Sequence, residues 1–216
     1  MNSAAAGINA ECLCSDAFER EAWQSGVRRV AGVDEVGRGA LAGPVVAAAV
    51  ILNPDHIPDG LNDSKKLTRP ERERLDVEIR ASAQAYAIAR VEADEIDHIN
   101  ILEATKKAME RAIACLTPSP DYLLIDALML KGIEIPQRAI IRGDAQSVSI
   151  AAASIIAKVA RDAWMRSYEE SLPGYGFANN VGYGTPDHMR GLRTLGPSQI
   201  HRLTFHGVLL ERSLFE

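Results

Sequence analysis

The sequence is short of cysteine, of aromatics and of excess positive charge, and each shortage narrows what the chain can be. Its three cysteines, Cys12, Cys14 and Cys115, are an odd set without framework spacing. That excludes a disulfide scaffold and fits a reduced, cytoplasmic protein. Cys12-x-Cys14 has no second Cys/His pair at ligand spacing, so two thiols near a loose N-terminus are expected rather than a zinc site. Aromatics are 5% of residues, so the core must lean on Ala, Val, Ile and Leu. No apolar run approaches the ~18 residues of a membrane span. The longest, Ala40 to Leu52, is broken by Gly43 and Pro44 and reads as a buried strand; no membrane partner is expected. Lys and Arg number 24 against 29 Asp and Glu, a formal net charge of −5. In bulk this opposes a phosphate-rich partner, yet it leaves room for a local basic strip beside an acidic metal site. No internal repeat is present and nothing signals an oligomer, so a monomer is the expectation.

What is present fits an ordinary globular chain: 47% hydrophobic and 25% charged over 216 residues. Residues 15–25 read as a short helix carrying Phe18 and Trp23 and stopped at Gly26. Arg29–Val36 and Val45–Leu52 read as two strands of a hairpin with a long connection. Thr68-Arg69-Pro70-Glu71 is a helix start, with a capping box and a first-turn proline, running to about Ala83. Tyr86–Val91 is a third strand. Asn100 with Glu103 caps a helix that places Leu102, Thr105, Met109, Ile113 and Leu116 on one side. Tyr122–Ile125 and Ala139–Ile141 are apolar strands ending at Asp126 and near Asp144. Ile150–Trp164 is a long Ala/Ile-rich helix, Thr185-Pro186-Asp187 starts another, and the end of the chain from Leu209 reads as helical. The order predicts an α/β architecture, a mixed sheet covered by helices.

Four acids sit in apolar company. Asp34 and Glu35 follow Ala31-Gly32-Val33, Asp126 ends Leu123-Leu124-Ile125, and Asp144 follows Ile140-Ile141-Arg142-Gly143. An unpaired carboxylate at a buried strand is costly, so a basic partner, protonation or a metal must compensate. Oxygen ligands without His or Cys suit Mg²⁺ or Mn²⁺, and two such ions about 4 Å apart serve phosphodiester hydrolysis. A single Asp at a strand end is ordinarily a turn or cap residue, and that reading stands beside the metal one. Neighbouring strand residues point to opposite faces, so Asp34 and Glu35 share a site only across a bulge or a strand end before Gly37. Gly37-Arg38-Gly39 is either a hairpin turn or a place where backbone N–H groups approach a ligand. The Walker pattern is absent, and the dinucleotide spacing is missed by one residue. Asp63-Ser64-Lys65-Lys66 is either a solvated loop or a phosphate contact through Ser64 and Lys65.

Several strings stand in one order: Ala31-Gly32-Val33-Asp34-Glu35-Val36-Gly37-Arg38-Gly39, Asp63-Ser64-Lys65-Lys66-Leu67, Asp126, Gly143-Asp144 with Ile150-Ala151-Ala152-Ala153-Ser154-Ile155-Ile156-Ala157-Lys158, Arg161-Asp162, and Gly182-Tyr183-Gly184-Thr185. Over roughly residues 16–207 the chain resembles the ribonuclease HII family. The resemblance implies an RNase H-like fold, a central mixed β-sheet flanked by helices with a C-terminal helical extension. The expected divisions are a disordered leader over 1–14, a catalytic domain over 15–166 and a C-terminal helical region over 167–216. It implies that Asp34, Glu35, Asp126 and Asp144 are the catalytic residues and hold two Mg²⁺ or Mn²⁺ ions. The implied reaction is hydrolysis of the RNA strand of RNA·DNA hybrids, and cutting 5′ of ribonucleotides embedded in duplex DNA, leaving 5′-phosphate and 3′-hydroxyl ends. Gly37, Arg38 and Gly39 would read the 2′-hydroxyl, and Tyr183 would stack on the next sugar and sense a deoxyribose. Ser64, Lys65, Lys66 and Lys158 would meet the phosphate backbone. One departure is Val181, where relatives often carry a basic residue; it removes a phosphate contact. His201 and Arg202, in a string that resembles the family's ending loosely, read as a backbone contact or a helix cap. The rivals are a junction resolvase of the same fold, opposed by the Gly-Arg-Gly loop and Tyr183, and a non-catalytic hybrid binder, opposed by the four acids.

Overall fold

In the computed structural model, which describes residues 14–209, β1 (Val30–Val36) is the middle strand of a five-stranded sheet. β2 (Val45–Ile51) pairs with it antiparallel, and β3 (Ala85–Val91) pairs antiparallel with β2. β4 (Tyr122–Asp126) and β5 (Gln137–Ile140) extend the other edge in parallel, so the order is β3-β2-β1-β4-β5. This is the mixed sheet predicted from the element order. The leader predicted over 1–14 lies outside the described residues except for Cys14, and the helical end predicted from Leu209 does so except for Leu209 itself.

The period-2 alternation of β2 shows how the sheet is covered. Val45, Ala47, Ala49 and Ile51 join the apolar side chains of α3 (Ala93–Ile99) and α4 (Ile101–Ala114). Val46, Ala48 and Val50 face α2 (Arg69–Ser82) and α5 (Val148–Ser171). A strand buried on both faces reads as an unbroken apolar run, and β2 does. Thr68 and Glu71 form the capping box of α2 as the sequence indicates.

The closest contact between layers is β1 against α5. A Cβ on Gly32 would lie 2.0 Å from the Ser149 carbonyl carbon, so only glycine allows the helix to come this near. α5 begins where it does because Ser147 accepts from the Ile150 N–H at 3.2 Å. Glu19, buried on α1 (Ala17–Gln24), takes the Ser147 hydroxyl at 2.5 Å and the Ser149 N–H at 2.9 Å. A carboxylate thus sits on the positive end of the longest helix. α5 runs 24 residues, well past Trp164. Its far half carries a second small core, where Met165 meets Ala42, Tyr175, Phe177 and Leu192. α6 (Phe177–Asn180) and α7 (Pro186–Leu195) close that core, the latter capped by Thr185.

Three local readings differ from the structure. α3 is a helix that the sequence does not announce; its seven residues, ADEIDHI, carry no side-chain cap bond at Glu92. The last sheet strand ends at Ile140, and Ile141 is 77% exposed. Leu102 is exposed, and α4 buries Ala104, Ala108 and Ala112 beside Thr105 and Met109, because small side chains let the helix lie close to the sheet. No helix of the described residues is long and apolar enough to cross a membrane.

Gly32→Ala forces two backbones apart. It is expected to cost about 3 kcal/mol, the upper end of ordinary overpacking, read as a lower urea midpoint. An unchanged midpoint would show that β1 and α5 do not depend on this contact.

Candidate active site

The end of the β1–β4 pairing brings the acids together. β1 stays in register with β2 through Val36↔Val46, with no bulge, whereas its pairing with β4 stops at Val33↔Ile125. Asp34 and Glu35 leave opposite faces of β1, but the gap beyond Ile125 is open to both, and Asp126 closes β4 beside it. An oxygen of each of Asp34, Glu35 and Asp126 lies within 4.8 Å of the others. A strand end, not a bulge, resolves the register problem that the sequence posed.

Each of the three carboxylates is fixed by one oxygen. Asp34 Oδ1 accepts the Glu35 N–H at 2.8 Å, and Asp126 Oδ1 accepts the Gly143 N–H at 2.6 Å. Glu35 Oε1 takes Arg38 at 3.2 Å. Glu35 Oε2 is buried with no hydrogen-bond partner. A buried, orphaned carboxylate oxygen is expensive, and it sits among two further acids. Burial pushes the Asp34 carboxyl well above the usual range, with the Glu35 and Asp126 charges adding to it. Burial also raises Glu35, against the pull of Arg38, and raises Asp126 despite the Gly143 N–H.

Asp144 stands outside that trio. It occupies a single 3-10 turn, Gly143–Ala145, that follows Arg142 in the left-handed region at φ 55°. Its Oδ2 lies 3.7 Å from Lys65 Nζ. Burial raises its carboxyl, then the charges of Asp63 and Asp126, with Lys65 opposing. Burial works against the charge on Lys65, but Asp144, Asp63, Asp34 and Asp126 outweigh it and raise its ammonium. An oxygen-only donor set with one orphaned oxygen and raised carboxyls fits a hard divalent cation.

Beside the acids is a cleft of about 440 Å³. Its walls hold Gly37, Arg38, Gly39, Ser64, Lys65, Lys158 and Tyr183, seven of the eight residues set against substrate above. Of the four acids, Glu35 alone lines it. Ser154 also lines it, 3.0 Å from the Ser64 hydroxyl. Lys158 is held by Asp162 at 2.8 Å. Lys66 is not among the lining residues.

Two buried arginines shape the cleft; the sequence left Arg202 between a backbone contact and a helix cap and offered no role for Arg161. Arg161 donates to the carbonyls of Pro44, Ala42 and Val181 at 2.9, 3.1 and 2.9 Å. Arg202 donates to Gly43 at 3.0 and 2.8 Å and to Arg38 at 2.9 Å. It meets the protein's own backbone and caps no helix. Because the Arg38 carbonyl turns inward, the N–H of Gly39 in the same planar peptide turns outward. Gly37 takes φ 91°, and a Cβ there would lie 2.2 Å from Arg161 Nε. Val181 takes φ 44°, uncommon for a β-branched residue, and Arg161 holds its carbonyl. The signal available was position: Ala157, Arg161 and Met165 recur every four residues and are all buried.

The Ribonuclease HII family model matches residues 31–208. A Ribonuclease HII of Geobacillus thermodenitrificans is 53% identical over 188 residues, which is 87% of this chain and 72% of that one. One of Enterococcus faecalis is 55% identical over 87% of this chain and 73% of that one. Among solved structures, the ribonuclease H2 of Pyrococcus horikoshii superposes with a TM-score of 0.71 at 28% identity, over 84% of this chain and 95% of that one. The RNase HII of an Archaeoglobus fulgidus PCNA:RNase HII complex gives 0.72 at 27%, over 87% and 98%. A family match spanning the sheet, the acids and the cleft leaves one conclusion: the chain belongs to the ribonuclease HII family of endoribonucleases.

Proposed function

We propose that the cleft binds duplexes containing RNA, and that the site cuts 5′ of a ribonucleotide embedded in DNA as well as within longer hybrids. Cleavage of the RNA strand of RNA·DNA hybrids accompanies membership of the family. The single observation that carries the chemistry is the orphaned Glu35 Oε2 within the Asp34, Glu35 and Asp126 group. These three residues, with Asp144, would hold Mg²⁺ or Mn²⁺, in the proposed reading two ions. Bound there, such ions supply Lewis acidity and an activated water for phosphodiester hydrolysis.

The remaining work belongs to the chain's own side chains. Lys65, 80% exposed at its side chain beside Asp144, offers a cation to the phosphate next to the cut. Ser64 and Lys158 extend that contact along the backbone. The outward Gly39 N–H and its neighbours meet the 2′-hydroxyl, the group that separates RNA from DNA. The Tyr183 ring, with Arg161 Cζ 5.5 Å from its centroid, offers a flat face to the following sugar. A water oxygen bonds to phosphorus as the bond to the 3′ oxygen breaks, leaving 5′-phosphate and 3′-hydroxyl ends. We place this chemistry in residues 15–166, with 167–216 as a helical extension that shares α5, and take the chain as a cytoplasmic monomer. A binding-only protein gains nothing from three carboxylates set where phosphate must approach.

A labelled DNA duplex with one ribonucleotide, given Mg²⁺ or Mn²⁺, is expected to yield a single cut 5′ of that ribonucleotide, with an all-DNA control intact and chelator abolishing the cut. Asp126→Asn should lower turnover by orders of magnitude with little change in melting temperature. Near wild-type turnover would remove Asp126 from the site. The rate should also fall between ~50 and ~200 mM salt as phosphate contacts are screened; a flat profile would dismiss the Lys65 and Lys158 surface as the docking face.

The raised carboxyls give a stability test in chelator. Asp34 binds its proton more tightly folded than unfolded, so the stability it contributes is present below the ordinary carboxylate range and is lost as pH rises through the raised folded value. At pH 7–8 Asp34→Asn is therefore expected to stabilise the metal-free protein, on the order of 1 kcal/mol, and to flatten the rise of melting temperature on acidification. A destabilised variant would show that the Asp34 charge is compensated by something other than a cation.

A further inference from the structure

His188 and His201 are 0% and 2% exposed, and nothing in the proposed chemistry uses them. They lie against Tyr175 and Phe177, with the Phe177 ring 5.3 Å from His188 and 5.7 Å from His201. Their Nε2 atoms are 3.0 Å apart. His201 Nδ1 is 2.9 Å from the Ser198 main-chain nitrogen and 2.8 Å from its hydroxyl. His188 Nδ1 is 2.9 Å from the Tyr183 carbonyl oxygen.

The two ends of this chain dictate every proton within it. The Ser198 N–H can only donate, so His201 Nδ1 must accept. The Tyr183 carbonyl can only accept, so His188 Nδ1 must donate. A neutral His201 then carries its proton on Nε2 and donates to His188 Nε2. Adding a proton to either ring sets two hydrogens against each other, at the Nε2 pair or at Ser198. One tautomer of each ring therefore satisfies the set, with both rings neutral. Burial lowers both imidazoles in the same sense, His201 to about 4.

The relay ends on the residue whose side chain faces the cleft. Tyr183 is held on its other sides too. Its N–H donates to the Asn180 carbonyl at 2.9 Å, its carbonyl also accepts from Thr185 at 2.8 Å, and Arg161 lies under its ring. The preceding Gly182 carbonyl accepts the Leu41 N–H at 2.8 Å, which joins this strap to the Gly-Arg-Gly loop. A pair of buried imidazoles is a poor substitute for apolar side chains on stability grounds. What the pair supplies is direction, a fixed hydrogen bond at one carbonyl.

We propose that His188 and His201 are positioning residues for substrate specificity: their one-way hydrogen-bond relay from Ser198 sets the Tyr183 main chain, and so the ring face offered to the sugar after a ribonucleotide. This rests on the reading of Tyr183 given above.

The test compares kcat/KM on a duplex with one embedded ribonucleotide against kcat/KM on a uniform RNA·DNA hybrid, and takes their ratio. Tyr183→Ala is expected to lower the ratio on the order of tenfold, and His188→Ala to do nearly the same, since small misplacements of a positioning group are costly. The double variant should fall no further than Tyr183→Ala alone, because residues acting as a unit are not additive. His188→Asn keeps an N–H donor where Nδ1 stands and should recover most of the ratio; it also serves if His188→Ala does not fold. Nitrogen-15 NMR of the imidazoles should show His188 as the Nδ1–H tautomer. A folded His188→Ala with an unchanged ratio, beside a lowered ratio for Tyr183→Ala, overturns the proposal and leaves the Tyr183 reading standing. A ratio unmoved by Tyr183→Ala overturns that reading and the proposal with it. An Nε2–H His188 overturns the relay itself.

Discussion

The approach of α5 to β1 across Gly32 sets the position of everything the site needs. A side chain at that point would hold the helix off the sheet, and the two elements would part by the width of a methyl group at least. With the helix seated, Ser154 stands beside Asp34, Lys158 follows one turn further on, and Arg161 and Asp162 about two turns on. The seat is reinforced at the helix start, where buried Glu19 faces the first amides of α5 and takes the Ser147 hydroxyl. An acid in α1 thus fixes the helix whose middle lines the cleft. Strand, helix and short N-terminal helix form one mechanical unit, and the carboxylates at the strand end inherit its rigidity.

Charge is distributed against the bulk count. A formal net charge of −5 hides two opposite burials. At the end of β1 three carboxylates lie together short of partners. Under the Gly-Arg-Gly loop two guanidiniums are buried whose hydrogen bonds go to carbonyls alone. Burial lowers Arg161 and brings Arg202 to about 9, which leaves Arg202 charged at neutral pH. Carbonyl dipoles converging on each guanidinium offset part of the desolvation cost. In the loop the Arg38 carbonyl faces inward to Arg202, which leaves the Gly39 N–H of the same peptide facing outward. The positive footprint expected of a phosphate-binding protein is therefore a matter of placement, with Lys65, Lys158 and Arg38 on the cleft walls and the two arginines beneath.

Most of the sheet was legible because its signals are local. The apolar start of β1, the doubly buried run of β2 and the capping box at Thr68 each declare themselves within a few residues. α3 did not, since its acidic residues show little periodicity and its start lacks a side-chain cap. The acids were legible as polar residues in apolar strings, and the cleft residues as strings of the family. What the sequence could not show is distance. Asp144 follows β5 as Asp126 closes the neighbouring β4, yet it sits on a turn after the left-handed Arg142 and pairs with Lys65 at 3.7 Å. The burial of Arg161 and Arg202 was not legible, because their partners are backbone carbonyls, which leave no mark in composition. His188 and His201 are thirteen positions apart, and only the turn after α7 makes them neighbours.

Recognition and chemistry meet in one residue. The Arg38 carbonyl is bound by Arg202, and its guanidinium reaches Glu35 Oε1 at 3.2 Å. The loop on the cleft wall and the carboxylate group at the strand end therefore share a side chain with an anchored main chain and a 44% exposed head. A ligand group that draws the guanidinium away strips Glu35 of its cation partner, and burial then opposes the Glu35 charge without relief. A positive group in place of Arg38 would again favour the charged form of the carboxylate. Occupation of the loop and the demand of the acidic group for a cation are thus coupled through the same few ångströms, so in the proposed function the groups that would select the sugar also bear on the groups that would cut beside it.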